Sequence, residues 1–185
     1  MINSNKIFLI IAALLVSCFF VVSCENKIET VRELGKKKLG VEEGINIESY
    51  MSQSGKMKAK LTTPLMLRYL LDTPKVEFPK TMHVDFYDST LAIESKLNCK
   101  YGRYFENDNK VYLKDSVIVF NRKGDTLWTD ELIWDQTKAE FFTDKFVKVK
   151  KGFNATYILG QNGLRADQSL NNLTFFNIRE GSYIV

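Results

Sequence analysis

The sequence predicts an all-β domain, a sandwich or barrel, behind a membrane-directed leader. Three observations lead there. From Ile45 onward, turn signals return roughly every 8–12 residues, the spacing of short strands in a sandwich or barrel. Sustained helical periodicity is absent from the same stretch. And Ile7 to Ser23 carries no charge at all. The chain therefore divides into a leader (residues 1–23), a tether (24–44) and a β domain (45–185).

The leader begins with Met1 to Lys6, short and polar with one positive charge, followed by the apolar run. That order is the n-region and h-region of an export signal. The run of seventeen apolar or small residues falls just short of the ~20 of a spanning helix. Its end resembles a bacterial lipoprotein signal, in which a small residue precedes the cysteine that takes the lipid. Leu15-Val16-Ser17-Cys18 and Val21-Val22-Ser23-Cys24 both fit. Cleavage before Cys18 would leave the apolar "FFVVS" on the mature protein, whereas cleavage before Cys24 leaves Glu25-Asn26-Lys27, which begins in water. Cys24 is thus the expected lipidation site. An uncleaved signal anchor is the alternative.

The tether, rich in Lys and Glu and broken by Gly35, Gly40 and Gly44, reads as a linker. After it, "MSQSGKMKAKL" predicts a hairpin around Ser54-Gly55, and "TPLMLRYLLDTP", too short between its prolines for a stable helix, a buried strand. Val84 and Phe86, a turn at Asp88-Ser89, then Leu91 and Ile93 give the next pair. A further pair turns at Lys123-Gly124. Residues 111–120 are apolar on both parities: either both faces are covered, or a bulge at Lys114-Asp115 swaps them. "NDNKVYLKDSVIVF", "DQTKAEFFTDKFVKV" and "QSLNNLTFFNIREG" share one plan, the first two offset by about 29 residues, which suggests stacked hairpins.

Several functions are excluded. The net charge of +4 is dispersed, without the basic stripe of a nucleic-acid binder. Two of three cysteines lie in or directly after the leader, so no disulfide framework is expected, and Cys99 reads as a small buried apolar residue. His83, the only histidine, shares a strand face with Asp85, but no G-x-S-x-G accompanies them. No zinc spacing and no phosphate loop occur. Asp125, Asp130, Glu131 and Asp135 read as solvated strand ends. No catalytic residue, metal site or cofactor is expected.

Taken in order, "SQSGKMKAKLTTP", "FPKTMHVDFYD", "SKLNCKYGRYFENDNKVYLKDSVIVFNRKGDTLWTDELIWD", "FFTDKFVKV" and "GQNGLRADQSLNNLTF" resemble the LptC family, the periplasmic subunit of the lipopolysaccharide export ABC transporter. The resemblance runs from about Asn46 to the C-terminus. It implies a twisted, open, boat-shaped β-jellyroll (OstA-like) whose apolar interior carries lipid A acyl chains. It also implies a place at the periplasmic face of the inner membrane. The implied partners are lipopolysaccharide, the membrane subunits of the transporter and an LptA-like bridge protein. Better-known members keep an uncleaved N-terminal helix, whereas this chain carries a lipobox.

An acyl-chain carrier needs apolar material around its interior. Phe86, Val119, Trp128, Phe142, Phe146 and Phe176 are the expected lipid-binding residues, with Trp134, Phe141 and Phe175 in the same aromatic surplus. A bridge component also needs a free sheet edge. Leu173, Phe175 and Ile178 are expected there, because "NNLTFFNIREGSYIV" runs to the C-terminus with little polar tail. The competing expectation is a structural envelope lipoprotein that uses only its edges and holds no lipid.

Overall fold

A computed structural model describes residues 40–70, 73–152 and 156–178, and the backbone of 183–184. The leader, with Cys18 and Cys24, and nearly all of the tether lie outside these residues. Among the described residues every regular element is a strand. They are β1 (Val41–Gln53), β2 (Lys56–Tyr69), β3 (Lys75–Phe78), β4 (Met82–Tyr87), β5 (Ile93–Cys99), β6 (Tyr101–Phe105) and β7 (Lys110–Asn121). There follow β8 (Thr126–Asp135), β9 (Glu140–Thr143), β10 (Val147–Lys151), β11 (Thr156–Gly160), β12 (Leu164–Asp167), β13 (Leu173–Phe175) and β14 (Tyr183–Ile184).

All pairings are antiparallel, and together they form one sheet folded on itself as a β-jellyroll. The long strands belong to both layers. In β7, Lys110–Lys114 pairs with β6, while Ser95–Asn98 of β5 pairs with Ile118–Asn121. In β8, Thr126–Thr129 pairs with β10 and Ile133–Asp135 with β9. β2 divides likewise between β4 and β3. A front layer thus holds β3, β6, β9, β12 and β13, a back layer β4, β5, β10, β11 and β14. β2, β7 and β8 bend through corners from one to the other, a known way of joining packed sheets.

The corners keep the apolar side chains inside. In β8 the inward residues are Leu127, Thr129, Leu132 and Trp134, so numbering parity changes at the corner. In β7 they are Val111, Leu113, Val117 and Val119, so parity is kept. The difference is one extra residue. Asp115 and Ser116, with φ of 62° and 57°, form a bulge where the β7–β8 register slips. The bulge expected near Lys114-Asp115 therefore exists, but it holds the odd-numbered residues on one inner face; Tyr112, Ile118 and Phe120 are the half-buried outer side.

Two corners carry the same polar fitting. Thr63 Oγ1 lies 3.0 Å from the Leu65 carbonyl and 2.9 Å from that of Thr81. Thr129 Oγ1 lies 3.2 Å from the Glu131 carbonyl and 2.9 Å from that of Phe146. Each hydroxyl is buried and satisfies backbone acceptors where the ladder is interrupted. The internal repeat has the same origin. Leu97, Cys99, Gly102 and Tyr104 recur thirty positions later as Leu127, Thr129, Leu132 and Trp134, and Val111, Leu113, Val117 and Val119 as Phe141, Thr143, Val147 and Val149.

Turns follow their residues. Ser54 (φ 52°) and Gly55 (φ 74°) make the two-residue β1–β2 hairpin, both in the left-handed region that a type I′ turn requires. At Asp88, Oδ1 accepts from the Thr90 N–H (2.8 Å), the Thr90 hydroxyl (2.6 Å) and the Ala92 N–H (3.1 Å). These bonds hold its carboxyl well below the usual range, at about 2.

Two expectations need correction. "TPLMLRY" is a strand, but Leu65 to Tyr69 are half-buried rather than buried, because this half of β2 lies near the rim of the sheet, between the edge strand β1 and the short β3. Asp125 is not a solvated strand end. It is 4% exposed, and its carboxylate accepts from Lys151 Nζ (3.0 Å), Asn121 Nδ2 (3.0 Å) and the Gly152 N–H (2.8 Å). Burial raises its pKa, but these donors outweigh burial and hold it low.

Gly163, at the corner between β11 and β12, has φ +84°, and a Cβ there would collide with the backbone of Thr143 and Asp144. Gly163→Ala is expected to lower stability by more than about 2 kcal/mol, measured as a shift in urea midpoint at constant m-value.

Candidate functional site

The space between the layers is the first candidate. Its walls are the inward residues of nearly every strand, joined in one cluster that includes Ala59, Phe78, Val84, Leu97, Val119, Val149 and Leu164. Phe86 from the back layer meets Trp134 and Phe141 from the front layer edge-on, with ring centroids 5.0 and 5.6 Å apart. These contacts join the layers through the middle of the interior. Among the described residues two buried donors have no partner, Trp134 Nε1 and Gln168 Nε2.

Opposite the corners, the layers meet at a seam of turns. The β12–β13 loop crosses it. Asn121 Nδ2 donates to the Ser169 carbonyl (2.7 Å), Lys151 Nζ to that of Leu170 (3.4 Å) and Ser95 Oγ to that of Gln168, while Lys123 Nζ bonds Asn171 Oδ1. Asp167 stiffens the loop by accepting from the N–H groups of Asn171 and Asn172 (2.9 and 3.1 Å). Leu170, at φ 57°, plugs the seam from within and is fully buried. Farther along the seam lies a polar cleft of about 410 Å³, bounded by Met51, Lys58, Tyr87 and Glu94 on one side and Gln136 and Gln168 on the other.

The expected lipid-binding residues fall into two groups. Phe86 and Val119 face the interior and are 1% and 0% exposed. Trp128 and Phe142 lie on outer faces, half-buried. Phe146 is half exposed at a corner, and Phe176 is 48% exposed, its ring 5.8 Å from that of Phe142. Sequence parity separates Phe141 from Phe142 but does not say which of them faces inward; the corner beside Thr143 decides that. Trp134 belongs inside for the same reason.

Leu173 and Phe175 lie on β13, and Ile178 lies beyond it. Among the described residues β13 ends the front layer, pairing with β12. Leu173 and Phe175 pack against the core from this end, and Ile178, bridged to Gly160, is exposed. The opposite edge is β1, which pairs only with β2, over both of its halves, and exposes Ile45 and Tyr50.

Elsewhere the polar clusters are structural. His83 Nδ1 lies 2.7 Å from Asn98 Oδ1 and Nε2 3.0 Å from Asp85 Oδ1, and Asp85 also pairs with Lys96 (3.2 Å). This is a cross-strand network on an outer face. His83, Asn98, Thr63 and Cys99 border a cleft of about 580 Å³ beside the corners. Among the described residues no group of carboxylate, imidazole and thiol side chains could hold a metal ion.

With this geometry in place, the comparison with protein families is decisive. The family model described as "Lipopolysaccharide-assembly, LptC-related" matches residues 9–175. The chain belongs to the LptC family. Membership assigns the protein to lipopolysaccharide transport, in a family of transport components that are periplasmic and associated with the inner membrane. A comparison with curated proteins found no match. Among the described residues no helix is long and apolar enough to cross a membrane.

Within this LptC domain Cys99 is a core residue, 4% exposed, and burial pushes its thiol up to about 12. Iodoacetamide at pH 8 should leave the folded protein unmodified at Cys99 and label it fully in urea, read by mass spectrometry.

Proposed function

We propose that this LptC protein carries lipopolysaccharide acyl chains between its two layers. In this reading it receives them from the membrane subunits of the lipopolysaccharide export ABC transporter and passes them to an LptA-like bridge protein. The observation that carries the reading is the continuous apolar inner surface from β2 to β13, bounded at both ends by strands paired on one side only. An acyl chain buried there gains about 0.8 kcal/mol per CH₂. An ester carbonyl reaching the seam would satisfy donors such as Trp134 Nε1 and Gln168 Nε2, which otherwise cost about 1–3 kcal/mol each. The inner side chains are closed to solvent, so lipid enters only when the layers part along the seam. The β12–β13 loop, held by side chains rather than by a β ladder, is the part that can yield.

The edges fit a relay. Backbone N–H and C=O groups on the free side of β1 face one neighbour and those on the free side of β13, with Leu173 and Phe175, face the other, each side able to add a strand, and Ile178 lies exposed beside the second. The N-terminus holds the domain at the membrane through acyl chains on Cys24.

A second reading, the scaffold without cargo, is favoured by one observation: Phe86, Trp134 and Phe141 already fill the middle of the interior. Photocrosslinking in cells separates the two. A benzophenone side chain at Phe86 or Val119 should give lipopolysaccharide adducts, and at Ile178 an adduct with the bridge protein. Normal protein levels with no lipid adduct at either inward position would leave only the scaffold. Positions Trp128, Phe142, Phe146 and Phe176 in the same experiment report whether outer faces touch cargo. For the anchor, Cys24→Ser should abolish the lipid mass on the mature N-terminus; an unchanged, unprocessed N-terminus in the parent protein would mean an uncleaved helix instead.

A further inference from the structure

The two outer faces of the sandwich differ in how their charges are used. On the front layer, outward charges neutralise one another. Lys75 and Arg103 flank Glu77, Lys114 meets Glu131, and Arg165 approaches Glu140. The back layer is different over β7, β8, β10 and β11. Register sets Ile118 beside Trp128, Trp128 beside Lys148, and Lys150 beside Tyr157. The Lys148 ammonium stands 4.3 Å from the centre of the Tyr157 ring and 5.8 Å from that of Trp128. Aromatic faces hold this cation without cancelling its charge. Among the described residues, the ion pairs of the back layer, its turns and its corners lie elsewhere, at Lys60–Glu48, Lys96–Asp85, Arg122–Asp88, Lys145–Asp144 and Lys151–Asp125.

Beside these residues, half-exposed Phe146 completes a shallow cleft of about 370 Å³ with Ile118, Trp128 and Lys148, Asp130 standing at its rim. The patch combines flat aromatic rings bearing polar tips, an aliphatic side chain and two lysines that, among the described residues, form no ion pair. Rings of this kind settle at headgroup level in a bilayer, and lysine stems lie along apolar surface while their ammonium groups reach phosphate. The charge of the patch is complementary to the phosphate plane of an anionic leaflet.

We propose that the outer face of the back layer around Trp128 and Lys148 rests on the surface of an anionic phospholipid bilayer. The site is separate from the interior, and the inference does not depend on acyl-chain carriage. Its effect would be to orient the sandwich against the membrane.

The two tryptophans make the test direct, because Trp128 is on this face and Trp134 is buried between the layers. Trp134→Phe leaves Trp128 as the sole indole emitter. The full chain is reconstituted into phosphatidylcholine vesicles with or without phosphatidylglycerol, carrying bromine near the headgroup end of the acyl chains. Trp128 emission should fall by at least half in the anionic vesicles and change little in the zwitterionic ones. High salt, or Lys148→Glu with Lys150→Glu, should lower the fraction of anionic quenching at least about fivefold, with the leader unchanged. Equal quenching in both vesicle types, or quenching indifferent to charge reversal, would overturn the proposal. Should Trp134→Phe fail to fold, the quenching difference between the parent protein and Trp128→Phe gives the same quantity. Quenching of Trp134 but not Trp128 would put the lipid in the interior, against this proposal and in favour of the carrier reading.

Discussion

Every long strand of this domain must bend from one layer into the other without turning its apolar face to water. The rest of the structure depends on that constraint. A strand alternates its side chains strictly, so a corner that consumes the wrong number of residues would expose the whole next segment. β8 crosses with a change of parity and β7 keeps parity through the Asp115-Ser116 bulge, so both halves of both strands still face inward. Thr63 and Thr129 satisfy carbonyls left over at their corners. The interior cluster is the product of these local solutions.

The seam is built on a different chemistry. Corners are covalent and hydrogen-bonded through the backbone, whereas the seam is spanned by side chains from Ser95, Asn121, Lys123 and Lys151 reaching carbonyl or amide oxygens of one loop. Bonds of this type exchange readily with water, so their net contribution is small, about 1 kcal/mol each. The domain therefore has one strong side and one weaker side, and the carrier function proposed above places lipid entry at the weaker one.

Some of this was legible in the residues. Ser54-Gly55, Asp88 and Gly124 marked their turns because each supplies the conformation or cap that the turn requires. Cys99 read as a core residue, and the offset repeat was visible because successive passes reuse the same inward positions. The site was less legible. Phe141 and Phe142, or Trp128 and Trp134, look alike in a sequence, and only the residue count across each corner sends one inward and the other out. Asp125 resembled any acid beside a turn, and its burial depends on Lys151 and Gly152 arriving from another hairpin.

The sequence by itself determined that the described domain is all-β, where several of its turns fall, and its resemblance to the LptC family, since alternation, turn residues and ordered motifs are local properties of the chain. Tertiary structure decided which aromatics form the interior, how β2, β7 and β8 are shared between layers, that the β12–β13 loop closes the seam, and that Lys148 stands between aromatic rings on an outer face. Those outcomes follow from bulges, corner geometry and pairing between distant strands, where one added residue reverses inside and outside.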